Sequence, residues 1–194
     1  MRTDKLSFGA KYINPINVGK LEGKACKQVD VSFVEINPFN KEDRFALSEI
    51  AHYWEHDKFA GNISVCADLI NESKSADGIK IFALTSQGDS FEKLNPEKIL
   101  GVIETEDTAP FHIHINRFQT KPDYVYKKDL EYSGIGTSIL NSLKEMYNKI
   151  SAISESDQSV RKFYERNGFY ETSKGSNFFI WYKDYFADIF KIYR

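Results

Sequence analysis

The sequence predicts an α/β fold of the mixed (α+β) kind, with a mostly antiparallel central sheet of six to seven strands flanked by helices. Three features point to it. Strand-like segments crowd the middle of the chain. A helix, a short apolar strand and a second helix then follow in the order of a β-α-β crossover. Aromatic-rich segments near the end read as a closing hairpin.

The elements follow in order. Residues 1–30 are rich in Gly, Lys and Asn and read as an N-terminal extension or an early strand wrapped on the surface. The domain proper is expected over residues 31–183. VSFVEI, Val31 to Ile36, alternates as a strand does, and Asn37-Pro38 stops it. KEDRFALSEIAHYW is helical, with Phe45, Leu47, Ile50, Ala51 and Trp54 near one face and Glu42 and Asp43 in the first turn. Gly61 to Glu72, with Val65, Leu69 and Ile70, reads as a second helix. GIKIFALTS and KILGVIETE are strands separated by a polar loop. FHIHINRFQT, Phe111 to Thr120, is the next. Its odd positions Phe111, Ile113 and Ile115 share one face, and His112, His114, Asn116 and Phe118 share the other. Gly134 to Lys149 is a helix with Ile135, Ile139, Leu143 and Met146 in register. KISAIS is a short buried strand, and Ser156 to Asn167 a helix that Gly168 terminates. FYET and FFIWYK close the sheet. Residues 184–194 form an amphipathic tail that docks on its own domain or on a second subunit, so a homodimer is possible.

Bulk properties narrow the function. The chain has 194 residues, 41% hydrophobic and 28% charged, as expected of a soluble globular protein. A net charge of −2 and a pI near 6.1 disfavour nucleic acid as a main partner, because phosphate backbones select basic surfaces. No apolar run reaches membrane-spanning length and MRTDKLSFGAKYINP has no secretory core, so a cytoplasmic protein with no membrane association is expected. Cys26 and Cys66 are far apart, consistent with a reducing compartment. His112 and His114 stand two apart, but no third ligand accompanies them, so no metal is expected.

Two stretches carry chemistry. In EYSGIGTSIL, Glu131 to Leu140, glycines precede a helix start. Unpaired N–H groups in a helix's first turn and its dipole favour a phosphate there, and glycine lets the phosphate approach. The plainer reading is a tight turn. The segment lacks the third glycine of a dinucleotide fingerprint and the Gly-Lys-Ser/Thr of a P-loop. The second stretch is SDQSVRKFYERNGF, Ser156 to Phe169, which by itself is an amphipathic helix that Asp157 or Ser156 caps.

Together, with KISAIS between them, the two stretches resemble the GCN5-related N-acetyltransferase (GNAT) superfamily. SGIGTSIL is similar to its Arg/Gln-x-x-Gly-x-Gly/Ala cofactor motif. FYERNGF is similar to its Phe-Tyr-Glu-x-x-Gly-Phe signature. RFQTKP looks like the end of its central strand and ILGVIE like the strand before it. The resemblance covers roughly residues 31–183. Glu131 departs from it, standing where the family has Arg or Gln. So do Asp157 and Val160, which replace Asn and Ala. A carboxylate beside a pyrophosphate is unfavourable, so Glu131 is expected to point away, with Lys127 or Lys128 supplying positive charge.

The resemblance implies acetyl-CoA as co-substrate and N-acetyl transfer to a primary amine of a small molecule or peptide, by direct attack through a tetrahedral intermediate. It implies cofactor contacts at Phe118, Gln119 and Thr120, where the pantetheine arm pairs like a strand and a free N–H stabilises the oxyanion. Ser133, Gly134, Ile135, Gly136, Thr137 and Ser138 would hold the pyrophosphate, and Asp157 is placed with them. Tyr164 is the implied acid for the leaving thiolate; its plainer role is core packing. Glu104 is the candidate base, at the end of an apolar strand, against the reading of a solvated strand end. Acceptor contacts fall among His52, Trp54, His56, Phe178, Phe179 and Trp181, for which core packing is the other reading. The alternative function is a weak or inactive CoA-binding module of the same fold. Action on aminoacyl-tRNA is disfavoured by the near-neutral charge.

Overall fold

The computed structural model describes residues 9–22, 25–54, 58–88, 93–122, 131–154 and 157–183. Nine strands form one sheet in the order β6-β1-β2-β3-β4-β5-β7-β9-β8. In the chain these are β1 (Lys11–Glu22), β2 (Ala25–Ile36), β3 (Ile79–Thr85), β4 (Ile99–Ala109), β5 (His112–Thr120), β6 (Tyr132–Ser133), β7 (Lys149–Ile153), β8 (Tyr170–Glu171) and β9 (Phe178–Tyr182). The helices are α1 (Lys41–Tyr53), α2 (Lys58–Ser73), α3 (Ile135–Met146) and α4 (Gln158–Arg166). All pairings are antiparallel except β5 with β7, which the α3 crossover makes parallel.

The fold class is as the sequence predicts, and the sheet is wider. The segment read as an extension or an early strand supplies β1, and β2 starts at Ala25 rather than Val31. The two form a long hairpin pairing Val18 with Val29 and Lys11 with Glu35. Polar residues on a half-exposed strand obscure its period, which is why the hydrophobic pattern appears only from Val31. The other addition is β6, which like the expected β8 is a two-residue strand at a sheet edge.

Each face of the sheet carries its own core. Val34, Ile81, Ala83 and Val102 pack beneath α1 and α2 with Ala46, Leu47, Ile50, Trp54, Ala60, Ile63 and Ala67. The alternate residues Phe33, Phe82, Leu84 and Ile103 pack beneath α3 and α4 with Ile135, Ile139, Leu143 and Tyr164. This two-sided burial explains why the central strands read as continuous apolar runs. Asn40 caps α1, its Oδ1 accepting from the N–H groups of Glu42 and Asp43 at 2.8 and 3.0 Å. Phe45, expected on the buried face of α1, is 58% exposed, and so are Val65 and Leu69 on α2. In α2 the buried stripe is Ala60, Ile63, Ala67 and Ile70, whose small alanines the sequence pattern under-weights. Trp54, Phe179 and the half-buried Trp181 pack in these cores, whereas His56 and the tail 184–194 lie outside the described residues.

His114 links the parallel strands. Its Nδ1 lies 2.9 Å from Ser151 Oγ, and its ring stacks on Phe178. Burial pushes its pKa below the ordinary value, against a smaller opposite pull from Glu106. The unfolded chain therefore takes up a proton near pH 6.5 that the folded chain refuses, and stability falls as pH drops through that window. Urea denaturation between pH 8 and 5 should show this loss, and His114→Gln should flatten it.

Candidate functional site

The site is built where β5 and β7 part. They pair from His112↔Lys149 to Ile115↔Ala152 and no further. β5 continues to Thr120, and among the described residues its partner there is on the β4 side only. A bulge falls at the parting point: Glu104 opposes Arg117 and Thr105 opposes Ile115, leaving Asn116 extra. The bulge shifts the facing of everything after it. Phe118, expected on the His112 face, instead joins the Ile113 and Ile115 core.

Beyond the bulge the backbone alternates. Lys121 N–H donates to Leu100 O on the β4 side at 2.9 Å, so Gln119 also turns its backbone groups toward β4. Phe118 and Thr120 turn theirs toward the gap. Among the described residues, the sheet thus has a bare hydrogen-bonding edge in its interior.

α3 begins across this gap. Gly134 is its N-cap with φ +77°, a left-handed conformation that glycine adopts without strain, and no side chain caps the helix. The first i→i−4 bond runs from Ser138 N–H to Gly134 O at 2.9 Å. The N–H groups of Ile135, Gly136 and Thr137 therefore have no acceptor within the helix, and they carry the positive end of its dipole. Gly136 has a packing role: a Cβ there would come within 3.0 and 3.1 Å of the Phe163 ring. A side chain there would require the Phe163 ring to give way by a few tenths of an ångström.

Edge, helix start and α4 enclose a cavity of about 540 Å³. Of the residues singled out from sequence it gathers Phe118, Thr120, Ser133, Gly134, Ile135, Gly136, Thr137 and Tyr164. Phe59, Asn116, Arg117, Ile153, Ser159 and Phe163 also line it. Arg117 is the one charged side chain among its described lining residues.

Tyr164 is buried, its ring packed on Phe163, Phe169 and Phe179 with centroids 5.3–5.6 Å apart. Its hydroxyl makes no hydrogen bond among the described residues. Burial raises its pKa above the ordinary phenol value, so it keeps its proton at neutral pH.

Four candidates do not line the cavity. Gln119 points to the α2 side, where its Oε1 accepts from Ala60 N–H at 2.6 Å. Ser138 uses its N–H in the helix and donates its hydroxyl to Asn17 O. Asp157 caps α4, accepting from Ser159 N–H at 2.7 Å. Glu104 is 1% exposed, and both its oxygens accept from Arg117 Nη1, at 2.6 and 2.7 Å. It is neither a solvated strand end nor open to the cleft. Glu131 also stays out of the cavity, 3.5 Å from Lys20 on β1, while Lys127 and Lys128 lie outside the described residues. His52, Trp54, Phe178, Phe179 and Trp181 do not line it either. Phe59 and Arg117 take their place; α2 starts before Gly61, and no residue in the sequence marks the bulge.

No family model and no curated protein sequence matches the chain. Solved structures do match in fold. One, from Exiguobacterium sp. 255-15 and described as an acetyltransferase, is 20% identical with a TM-score of 0.52, over 83% of this chain and 99% of that one. Another, from Desulfovibrio desulfuricans and described as a GNAT-family acetyltransferase, is 13% identical with a TM-score of 0.53, over 78% of this chain and 98% of that one. The chain has the fold of the GCN5-related N-acetyltransferases.

The packing of α3 on α4 is testable at Gly136. Gly136→Val should cost about 1–3 kcal/mol in urea denaturation, because the added branches meet a ring already held by Phe118. Unchanged stability would show that Phe163 moves freely.

Proposed function

We propose that the protein is an acetyl-CoA-dependent N-acetyltransferase acting on a primary amine. The observation that carries this reading is the bare β5 edge at Phe118 and Thr120, in one cavity with the uncapped start of α3. An extended chain with amide groups can pair with such an edge, and a diphosphate can settle on such a helix start. Acetyl-CoA has both parts, in that order, and supplies the acetyl group when bound. The cavity also falls within the usual range for small-molecule sites.

The residues divide the work. Phe118 and Thr120 offer backbone donors and acceptors to the pantetheine amides. Ser133 to Thr137 receive the pyrophosphate through the free N–H groups of α3 and the Thr137 hydroxyl. Tyr164, neutral and with a free hydroxyl, is a hydrogen-bond donor rather than a base, which is what a departing thiolate needs. Glu104 serves to hold Arg117, since both oxygens are occupied by the guanidinium. With no free carboxylate among the described lining residues, the amine proton, of ordinary pKa about 10.4, leaves to solvent through the mouth of the cleft.

Acetyl-CoA should raise the melting temperature, and at a concentration 100-fold above Kd the stabilisation is about 2.7 kcal/mol. Absence of any shift with acetyl-CoA and with CoA would contradict the reading. With an amine that is turned over, Tyr164→Phe should lower thiol release about 100-fold or more while leaving the KM for acetyl-CoA nearly unchanged. An unchanged rate would remove Tyr164 from the reaction.

A further inference from the structure

Arg117 has more donors than Glu104 uses. Both Glu104 oxygens sit on Nη1, so Nε–H and the Nη2 hydrogens have no acceptor among the described residues. That side-on edge matches a carboxylate in a two-point fork. Arg117 is 34% exposed and lines the cavity, whereas Glu104, behind it, is 1% exposed and does not. The carboxylate thus holds Nη1, and the Nε–H and Nη2 donors of a residue that lines the cavity are left without an acceptor among the described residues. Asn116 Nδ2 also donates to Glu104 at 3.2 Å, tying the bulge to the same anchor. Cys66 lies close behind. Burial and the nearby Glu104 push its thiol up to about 11, so it remains neutral and adds no second negative charge.

The position is specific. The bulge that ends the β5–β7 pairing turns Arg117 to the α2 side, away from the α3 start that would take the pyrophosphate. Gln119, two residues on and on the same face, fixes the first turn of α2 through Ala60 N–H, which places Phe59 at the cavity wall. Ile153, at the end of β7, faces the cavity too. A fixed cation beside apolar side chains selects a ligand with an anionic head and an apolar body.

We propose that the acceptor is an amine with a carboxylate on the adjacent carbon, an α-amino acid with an apolar side chain, and that Arg117 binds its carboxylate. This rests on the acetyl-transfer reading for the fate of the amine. The reaction forms the amide C–N bond and breaks the thioester C–S bond. The ammonium gives one proton to solvent before the attack, and the proton shed as the amide forms replaces the one Tyr164 passes to the departing thiolate, so CoA leaves as the thiol.

The test is binding of N-acetyl-leucine and N-acetyl-phenylalanine, against their carboxamides, by calorimetry on the full chain. Acetyl-CoA melting shifts are recorded on the same preparation. The wild type should prefer the acids by about tenfold or more. Glu104→Gln with Arg117→Gln replaces the ion pair by a neutral one and should abolish the preference while leaving the acetyl-CoA shift in place. Equal binding of acids and carboxamides by the wild type overturns the proposal, whether or not the double variant folds. A double variant that loses the acetyl-CoA shift but keeps the preference also overturns it, and assigns Arg117 to the cofactor phosphates. Acid preference without any acetyl-CoA shift would leave the Arg117 site standing and remove the acetyl-transfer reading.

Discussion

The parting of β5 from β7 after Ile115 is the constraint on which the rest depends. A parallel pair that ran its full length would seal the middle of the sheet. Here two strands stop pairing while one continues, so the polar backbone groups at Phe118 and Thr120 face a gap with no strand partner among the described residues. Left unsatisfied and buried, each such group would cost about 1–3 kcal/mol. The gap must therefore stay open to water or to a ligand that mimics a strand. The surrounding elements hold it open: the bulge at Asn116 bends β5, α3 starts across the gap, and Phe163 is wedged against Gly136.

The Glu104–Arg117 pair gives the bulge its anchor. A carboxylate on the α2 side of β4 with almost no exposure needs a cation, and the bulge is what brings Arg117 opposite it. The same pairing decides between chemical roles. Both Glu104 oxygens accept from Arg117 and the carboxylate does not line the cavity, so it meets no substrate proton there and acts as a positioning group. The guanidinium it fixes is then the charged feature of the described cavity lining. One structural requirement, burial of Glu104, thereby sets what the cleft can recognise.

Much of this was legible in the sequence. The alternation and apolar runs of β3, β4 and β5, the register of α3 and the Asn167-Gly168 stop of α4 all follow from periodicity and turn chemistry. The pairing of SGIGTSIL with FYERNGF located the helix start and Tyr164 in one cavity. What was not legible depends on register. A single extra residue at Asn116 moves Phe118 to the other face, and turns Gln119 away from the gap, with no change in residue type to announce it. Asp157 and Ser138 sit in the right motifs but spend their polar groups on helix geometry. β1 was legible only as one of two readings, an extension or an early strand, because pairing with β2 at the sheet margin needs little hydrophobic alternation. Gly136 has a mixed explanation: its lack of a side chain serves the packing of Phe163 at least as directly as it serves a phosphate.

The most direct test of the cleft is residue-resolved amide NMR during titration with acetyl-CoA. The account predicts shifts, and slowed hydrogen exchange, at the N–H groups of Phe118, Thr120, Ile135, Gly136 and Thr137. Gln119, whose N–H faces β4, should change much less than its neighbours. Changes concentrated instead around the smaller cavity at Lys80, Asp107 and Tyr147, or none along the β5 edge, would contradict it.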